Sequence, residues 1–296
     1  MDTIFYNALI KSMDKNNNVY EALGINDNKI AFLGSNEKAK KFEAEKKIDL
    51  EGKLLLPSFI DTHLHILHYA LAESMVKLAD SKSLKEVLKK GRLHLEKEGL
   101  KFSWLLGRGW NQNNFQDTDQ FITKDDLDKI STDYPIFFSR VCGHMATVNS
   151  KGLEEILAMK KANNLNEYID KETGILTESA VSLKSDLLGK ITEKDLEELL
   201  QKAHKDLNKA GITGIHSADF STLQSGDWEK VIKAYKSLES KDKLKVRTYE
   251  QAMFDNIKVI NDFIDKGYKT GDGSEFFKIG PLKLLADGSL GQERLT

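Results

Sequence analysis

Leu54-Leu-Leu-Pro-Ser-Phe-Ile-Asp-Thr-His-Leu-His65 decides how the chain is read, because an apolar run ends there in two histidines spaced i, i+2. With Leu54 to Ile60 as a strand, alternation puts Asp61, His63 and His65 on one face at its C-terminal end. In a parallel α/β barrel that end carries the chemistry. Two imidazoles on one face can share a divalent transition metal, which favours such nitrogen ligands. The alternative is a polar strand end with two solvated histidines, since a bare His-x-His is a short pattern.

Upstream, residues 3 to 52 read as a small β unit. Thr3 to Ile10 and Val19 to Ile25 are rich in β-branched and aromatic residues, and Lys29 to Leu33 follows a tight Asn26-Asp-Asn28 turn that makes a hairpin. Ala39 to Lys46 is expected to be a short helix. Downstream, Ser83 can cap a helix whose stripe is Leu84, Val87, Leu88 and Leu95. A short helix over Asp125 to Ile130 and a buried strand over Pro135 to Cys142 follow, and Asn149-Ser150 can cap another helix. From Thr192 the chain becomes regular. A capped helix ends at Gly211, and strands over 211–217, 245–253 and 281–286 alternate with helices over 227–239 and 256–266. That alternation is the grammar of a parallel sheet wound by βα units.

The 296 residues suffice for one large domain or two smaller ones. Lys plus Arg total 44 and Asp plus Glu 46, a net charge of −2 that gives no electrostatic case for nucleic acid or an anionic membrane. Cys142 is the single cysteine, so no internal disulfide forms, which suits a reducing cytosol. The first residues lack the basic and apolar regions of a signal peptide, and no apolar stretch reaches bilayer length. The expectation is a soluble cytoplasmic protein, with a homo-oligomer left open.

Several motifs in order resemble the amidohydrolase superfamily of metal-dependent hydrolases, in its YtcJ-like branch. They are Asp49-Leu-Glu-Gly-Lys53, Leu56 to His65, Gly107-Arg-Gly-Trp110, Gly143-His-Met145 with Asn149-Ser150, Gly174-Ile-Leu-Thr-Glu178, Ala210-Gly-Ile-Thr213 and Lys283-Leu-Leu-Ala-Asp-Gly-Ser-Leu-Gly291. Ser58 stands where the family usually has glycine. The resemblance implies an α/β fold, a (β/α)8 TIM barrel of which this chain holds the N-terminal half, strands one to four. Those strands are assigned to 54–60, 212–217, 245–251 and 281–286. It further implies that residues 1–53 form part of a composite β-sandwich domain, and 54–296 a partial barrel carrying a large insertion over roughly 70–190. A bare barrel takes about 250 residues, so the resemblance places the later metal ligands and the strand-eight catalytic aspartate beyond Thr296. A C-terminally truncated, inactive portion of a longer enzyme is therefore expected.

By the same resemblance His63 and His65 hold a divalent metal, most plausibly zinc, and Lys283, if carboxylated, bridges a second ion. The competing reading of Lys283 is an amine that snorkels to the rim or pairs with Asp287. Trp110, His144, Glu178, His216 and Asp287 are the candidate substrate-side residues, the first three each with a purely structural alternative. His68, His94 and His204 are expected at the surface, and Cys142 as a small buried hydrophobe. The implied activity is hydrolysis of non-peptide carbon–nitrogen bonds in amide, N-acyl or N-formyl substrates by a metal-activated water. The branch includes N-substituted formamide deformylases. The alternatives are a deaminase of the same superfamily and a non-catalytic remnant or interaction module of the same fold.

Overall fold

A computed structural model describes residues 1–100, 103–187, 191–223, 227–254 and 256–285. The chain divides into two compact units, Met1–Phe59 and Ile60–Thr296.

In the first unit, left-handed residues cut the expected strands into shorter ones. Asn7, at φ 54°, turns the chain between β1 (Thr3–Tyr6) and β2 (Leu9–Lys11), and the second apolar run becomes β3 (Val19–Tyr20) and β4 (Ala22–Asn26). Asp27 and Asn28, at φ 51° and 59°, make the two-residue loop from β4 into β5 (Lys29–Gly34), as a hairpin turn of this chemistry should. The first helix, α1 (Asn36–Ala39), starts earlier than the sequence suggests because Ser35 caps it, accepting from the Lys38 N–H. It also ends earlier, and Lys46 pairs instead with Thr3 in β6 (Lys46–Asp49). One sheet runs β5-β4-β1-β6 around Ile4, Ala22 and Ala39, and another runs β3-β2-β7 with β7 at Leu54–Leu55.

The expected single strand over 54–60 is not continuous. Leu54 and Leu55 belong to the three-stranded sheet, while β8 (Phe59–Asp61) belongs to another. Pro57 stands between them, and proline offers no N–H to a ladder.

The second unit contains two sheets. After β8 come α2 (Ile66–Glu73), β9 (Val76–Lys77), α3 (Leu84–Glu98), β10 (Leu105–Trp110), α4 (Lys124–Asp128) and β11 (Ile136–Arg140). They are followed by β12 (Met145–Val148), α5 (Ser150–Leu157), β13 (Ile169–Asp170), β14 (Ile175–Thr177) and α6 (Lys184–Leu187). These strands form a sheet ordered β13-β14-β12-β11-β10-β9, in which β9, β10 and β11 are parallel and β12 reverses. The stretch expected as an insertion thus has a sheet of its own, with Leu105, Trp110, Ile136 and Phe138 buried on one face. Leu106 and Phe137 face the larger core on the other.

The remaining elements are α7 (Glu193–Lys209), β15 (Ile212–Ser217), α8 (Trp228–Ser240), β16 (Arg247–Ala252), α9 (Ile257–Asp265) and β17 (Phe277–Leu282). Their sheet runs β17-β16-β15-β8, with β15, β16 and β17 parallel. The strand expected over 281–286 in fact begins at Phe277, where alternate residues Phe277 and Ile279 fill the core. Among the described residues no helix is long and apolar enough to cross a membrane.

His204 overturns its expected surface position. On α7 it is 1% exposed, its ring lies 6.4 Å from that of Tyr235, and neither ring nitrogen has a hydrogen-bond partner. Lys202 and Lys205 nearby are charged, but the helical stripe Leu196, Leu200, Ala203, Leu207 carries it inward. Burial pushes its pKa down from 6.5 to about 4. The unfolded chain therefore takes up a proton below pH 6.5 that the folded chain refuses until about pH 4, and stability falls as pH falls through that window. The shift corresponds to roughly 3 kcal/mol when fully expressed. Urea unfolding of His204→Leu is expected to show a flatter loss of stability between pH 7 and pH 4.5 than the parent, with no loss at pH 7. Parallel profiles for the two proteins exclude this account.

Candidate active site

The two histidines lie in the link between β8 and α2, not on the strand. β8 ends at Asp61, whose Oδ1 accepts the His63 N–H at 3.0 Å and turns the chain. Between the histidines, the Leu64 N–H donates to the carbonyl of His216 on β15 at 3.0 Å. His65 Nδ1 sits 2.8 Å from the Ala218 carbonyl oxygen. A carbonyl only accepts, so the neutral ring carries its proton on Nδ1 and keeps its lone pair on Nε2. That is how metal-binding histidines are oriented by their surroundings. The His63 and His65 ring centres are 6.0 Å apart, and His68, exposed as expected, is 5.5 Å from His65.

Helix α2 starts immediately after His65, yet His65 supplies no side-chain cap. The first N–H groups of the helix are instead met from the end of β15. Ser217 Oγ accepts from Ile66 N–H at 3.0 Å, and Asp219 Oδ1 accepts from Leu67 N–H at 3.1 Å. The Ser217 hydroxyl donates to the other Asp219 oxygen in a short bond. Asp219 in turn donates its backbone N–H to Glu250 Oε1 on β16. Ser217, Asp219 and Glu250 are all fully buried. Burial pushes the Asp219 carboxyl up, against the hydrogen bonds from Ser217 and Leu67 that favour its charge. Burial and then the nearby Asp219 charge push Glu250 well above its ordinary value, against the hydrogen bond from the Asp219 N–H and the charge of Lys283. Glu250 Oε2 has no hydrogen-bond partner, consistent with a carboxyl that keeps its proton.

His216 is half-buried with its ring 5.2 Å from Tyr249. Lys283 follows the end of β17 and donates its backbone N–H to Ala252 at 2.9 Å. Lys283 is half-buried, while its neighbours Leu282, Leu284 and Leu285 are 48%, 70% and 75% exposed. His144 and Glu178 form an exposed pair, Nδ1 to Oε2 at 3.3 Å, because Met145 and Thr177 are direct partners on β12 and β14. Trp110, expected on a pocket wall, is wholly buried and donates its indole N–H to the Phe138 carbonyl at 2.9 Å, so it packs the sheet. Cys142, expected to be buried, is exposed in the turn after β11. Asp287 lies outside the described residues. Among the described residues no cluster of three or more His, Cys, Asp or Glu side chains is poised to hold a metal. The structure thus sets two imidazoles side by side, with Ser217, Asp219 and Glu250 as unforeseen supports of the link that carries them.

Asp219→Ala strands the Leu67 N–H and the Ser217 hydroxyl in the interior, a loss of about 1–3 kcal/mol in urea unfolding. Asp219→Asn keeps an acceptor for Leu67 and is expected to lose clearly less. Nitrogen-15 spectra should show His65 as the Nδ1–H tautomer in the parent and as a mixture in Asp219→Ala. Equal stability and an unchanged tautomer in both variants rule out the capping role.

The profile of the amidohydrolase family (Amidohydro_3) matches residues 46–296, the greater part of the chain. YtcJ of Bacillus subtilis (strain 168), an amidohydrolase by name, is 28% identical over 301 residues, covering 98% of this chain and 55% of the relative. Two crystal structures of metal-dependent hydrolases are similar at 25% identity and 98% coverage of this chain. The Pyrococcus horikoshii protein has a TM-score of 0.76 over 55% of its own length, and that from Pyrococcus furiosus 0.77 over 57%. The chain spans about half the length of these relatives. It belongs to the amidohydrolase family.

Proposed function

We propose that the chain carries the first metal-binding histidines of a hydrolase that cleaves non-peptide carbon–nitrogen bonds in small amide, N-acyl or N-formyl substrates. The observation that carries this reading is the His65 Nδ1 contact to Ala218, which leaves Nε2 as a free donor beside a second histidine. Family membership and the metal-dependent relatives support it. The order β8, β15, β16, β17, the last three of them parallel, supports reading these strands as the first four of a (β/α)8 barrel, and the reading puts residues 1–53 in a β-sandwich lobe.

The donor set fits part of a zinc-type site: two imidazoles, one oriented by a backbone carbonyl. Such an ion, one or two in number, supplies Lewis acidity that brings a water's pKa toward neutrality and polarises a carbonyl. On this reading His63 and His65 hold it through ring nitrogens, and Lys283 is the candidate bridge. Ser217 and Asp219 keep the link from swinging by fastening the helix start behind it. His144 and Glu178 are candidates to contact substrate, since their pair is exposed and can open to a ligand. His216 is a further substrate-side candidate at the end of β15. Trp110 drops out of that set because its whole surface is covered.

Equilibrium dialysis with zinc is expected to show an ion retained by the chain, with affinity reduced at least about tenfold in both His63→Ala and His65→Ala. Zinc retention equal in parent and both variants defeats the assignment. In protein of the relatives' full length, release of a free amine from N-formyl or N-acyl amines, without ammonia, separates this activity from deamination.

A further inference from the structure

We propose that the cavity at the C-terminal ends of β9, β10 and β11 binds an oxyanion, the carboxylate or phosphate of a small molecule, through Arg108 and Lys184. The cavity is about 610 Å3, within the usual range for small-molecule sites. It lies outside the carboxyl ends of three parallel strands, the place where open α/β sheets bind ligands. Neither His63 nor His65 lines it, so the inference stands apart from the metal reading.

The sheet register builds the cationic wall. Arg108 is the direct partner of Lys77 on one side and of Ser139 on the other, so these three side chains share one face in a row. The register shifts just beyond Arg108, where Gly109 adopts φ 96°. A Cβ at Gly109 would lie 3.0 Å from that of Ala79 and 3.2 Å from its backbone nitrogen, so the bulge requires glycine.

The cavity's charges do not balance. Lys77, Arg108, Arg140 and Lys184 line it, against one carboxylate, Glu73. Glu73 is already paired with Lys77 at 2.5 Å. Arg140 donates to the neutral amides of Gln112 and Asn111, at 2.9 and 3.3 Å, and to no carboxylate among the described residues, so its charge is not cancelled. Arg108 and Lys184 have no side-chain hydrogen bond or ion pair among the described residues. Burial, then the charge of Arg108, holds the Lys184 ammonium below its ordinary pKa. An entering anion relieves that repulsion, and the guanidinium fork suits two oxygens of a carboxylate or phosphate.

The test is isothermal titration of the whole chain with sodium phosphate and, separately, sodium succinate, against chloride at equal ionic strength. At least one of the two should bind the parent, at least about tenfold more weakly to Arg108→Met or Lys184→Met, and undetectably to the double variant. Arg108→Lys should retain part of the affinity. Without ligand, Lys184→Met should melt no lower than the parent, because a like-charge contact is gone; this keeps loss of binding distinct from loss of fold. Binding of phosphate alone points to a phosphorylated ligand and binding of succinate to a carboxylate, and either supports the site. Binding of neither above chloride, or equal binding by the double variant, overturns it.

Discussion

Every α-helix begins with N–H groups that its own backbone cannot satisfy. In α2 those groups are met by Ser217 and Asp219, side chains 151 and 152 residues further along the chain. The rest of the candidate site hangs on that closure. It fixes the point where α2 starts, hence the direction of the link that carries His63 and His65. Two backbone contacts, Leu64 to His216 and His65 to Ala218, fasten the same link to the same strand end. A carboxylate at a helix start is also favoured by the helix dipole, which offsets part of the cost of burying it.

The cost is visible one layer deeper. Asp219 and Glu250 are two buried acids joined through a backbone N–H, with few polar partners to share. Two full charges so close in a dry interior repel strongly, and the arrangement is stable because one acid keeps its proton. Glu250 is the better candidate, since its second oxygen finds no donor. Its role is to hold the Asp219 backbone, and through it the oxygen that receives Leu67. Burying polar groups in this way is tolerated where it secures geometry that apolar packing would leave loose.

What the sequence makes legible follows the range of the interactions. The turn at Asp27-Asn28, the caps at Ser83, Thr192 and Asn149, and the helical stripe of α7 depend on neighbours within a few residues, and they appear where expected. Strand β15 is bounded by Gly211 and is found over Ile212–Ser217. The errors arise where distant contacts decide. Pro57 divides an apolar run that periodicity alone joins, because its two halves find different sheets. His204 has the side chain of a surface residue on a face that α8 covers. Ser217 and Asp219 look like ordinary residues after a strand, and nothing local says that they cap a helix formed far earlier. Glu250 is the one hint the sequence did offer, an acid at an inward position of the alternation Val246, Thr248, Glu250, Ala252.

The remote cap also sets an order of events during synthesis. Ile66 emerges 151 residues before the hydroxyl that receives its N–H. At about 5–20 residues per second, the start of α2 waits roughly 8–30 s on the ribosome before its partner exists. Closing so long a loop carries an entropic cost that local helix formation cannot offset by itself. The histidine link therefore cannot take its final shape until β15 has been made.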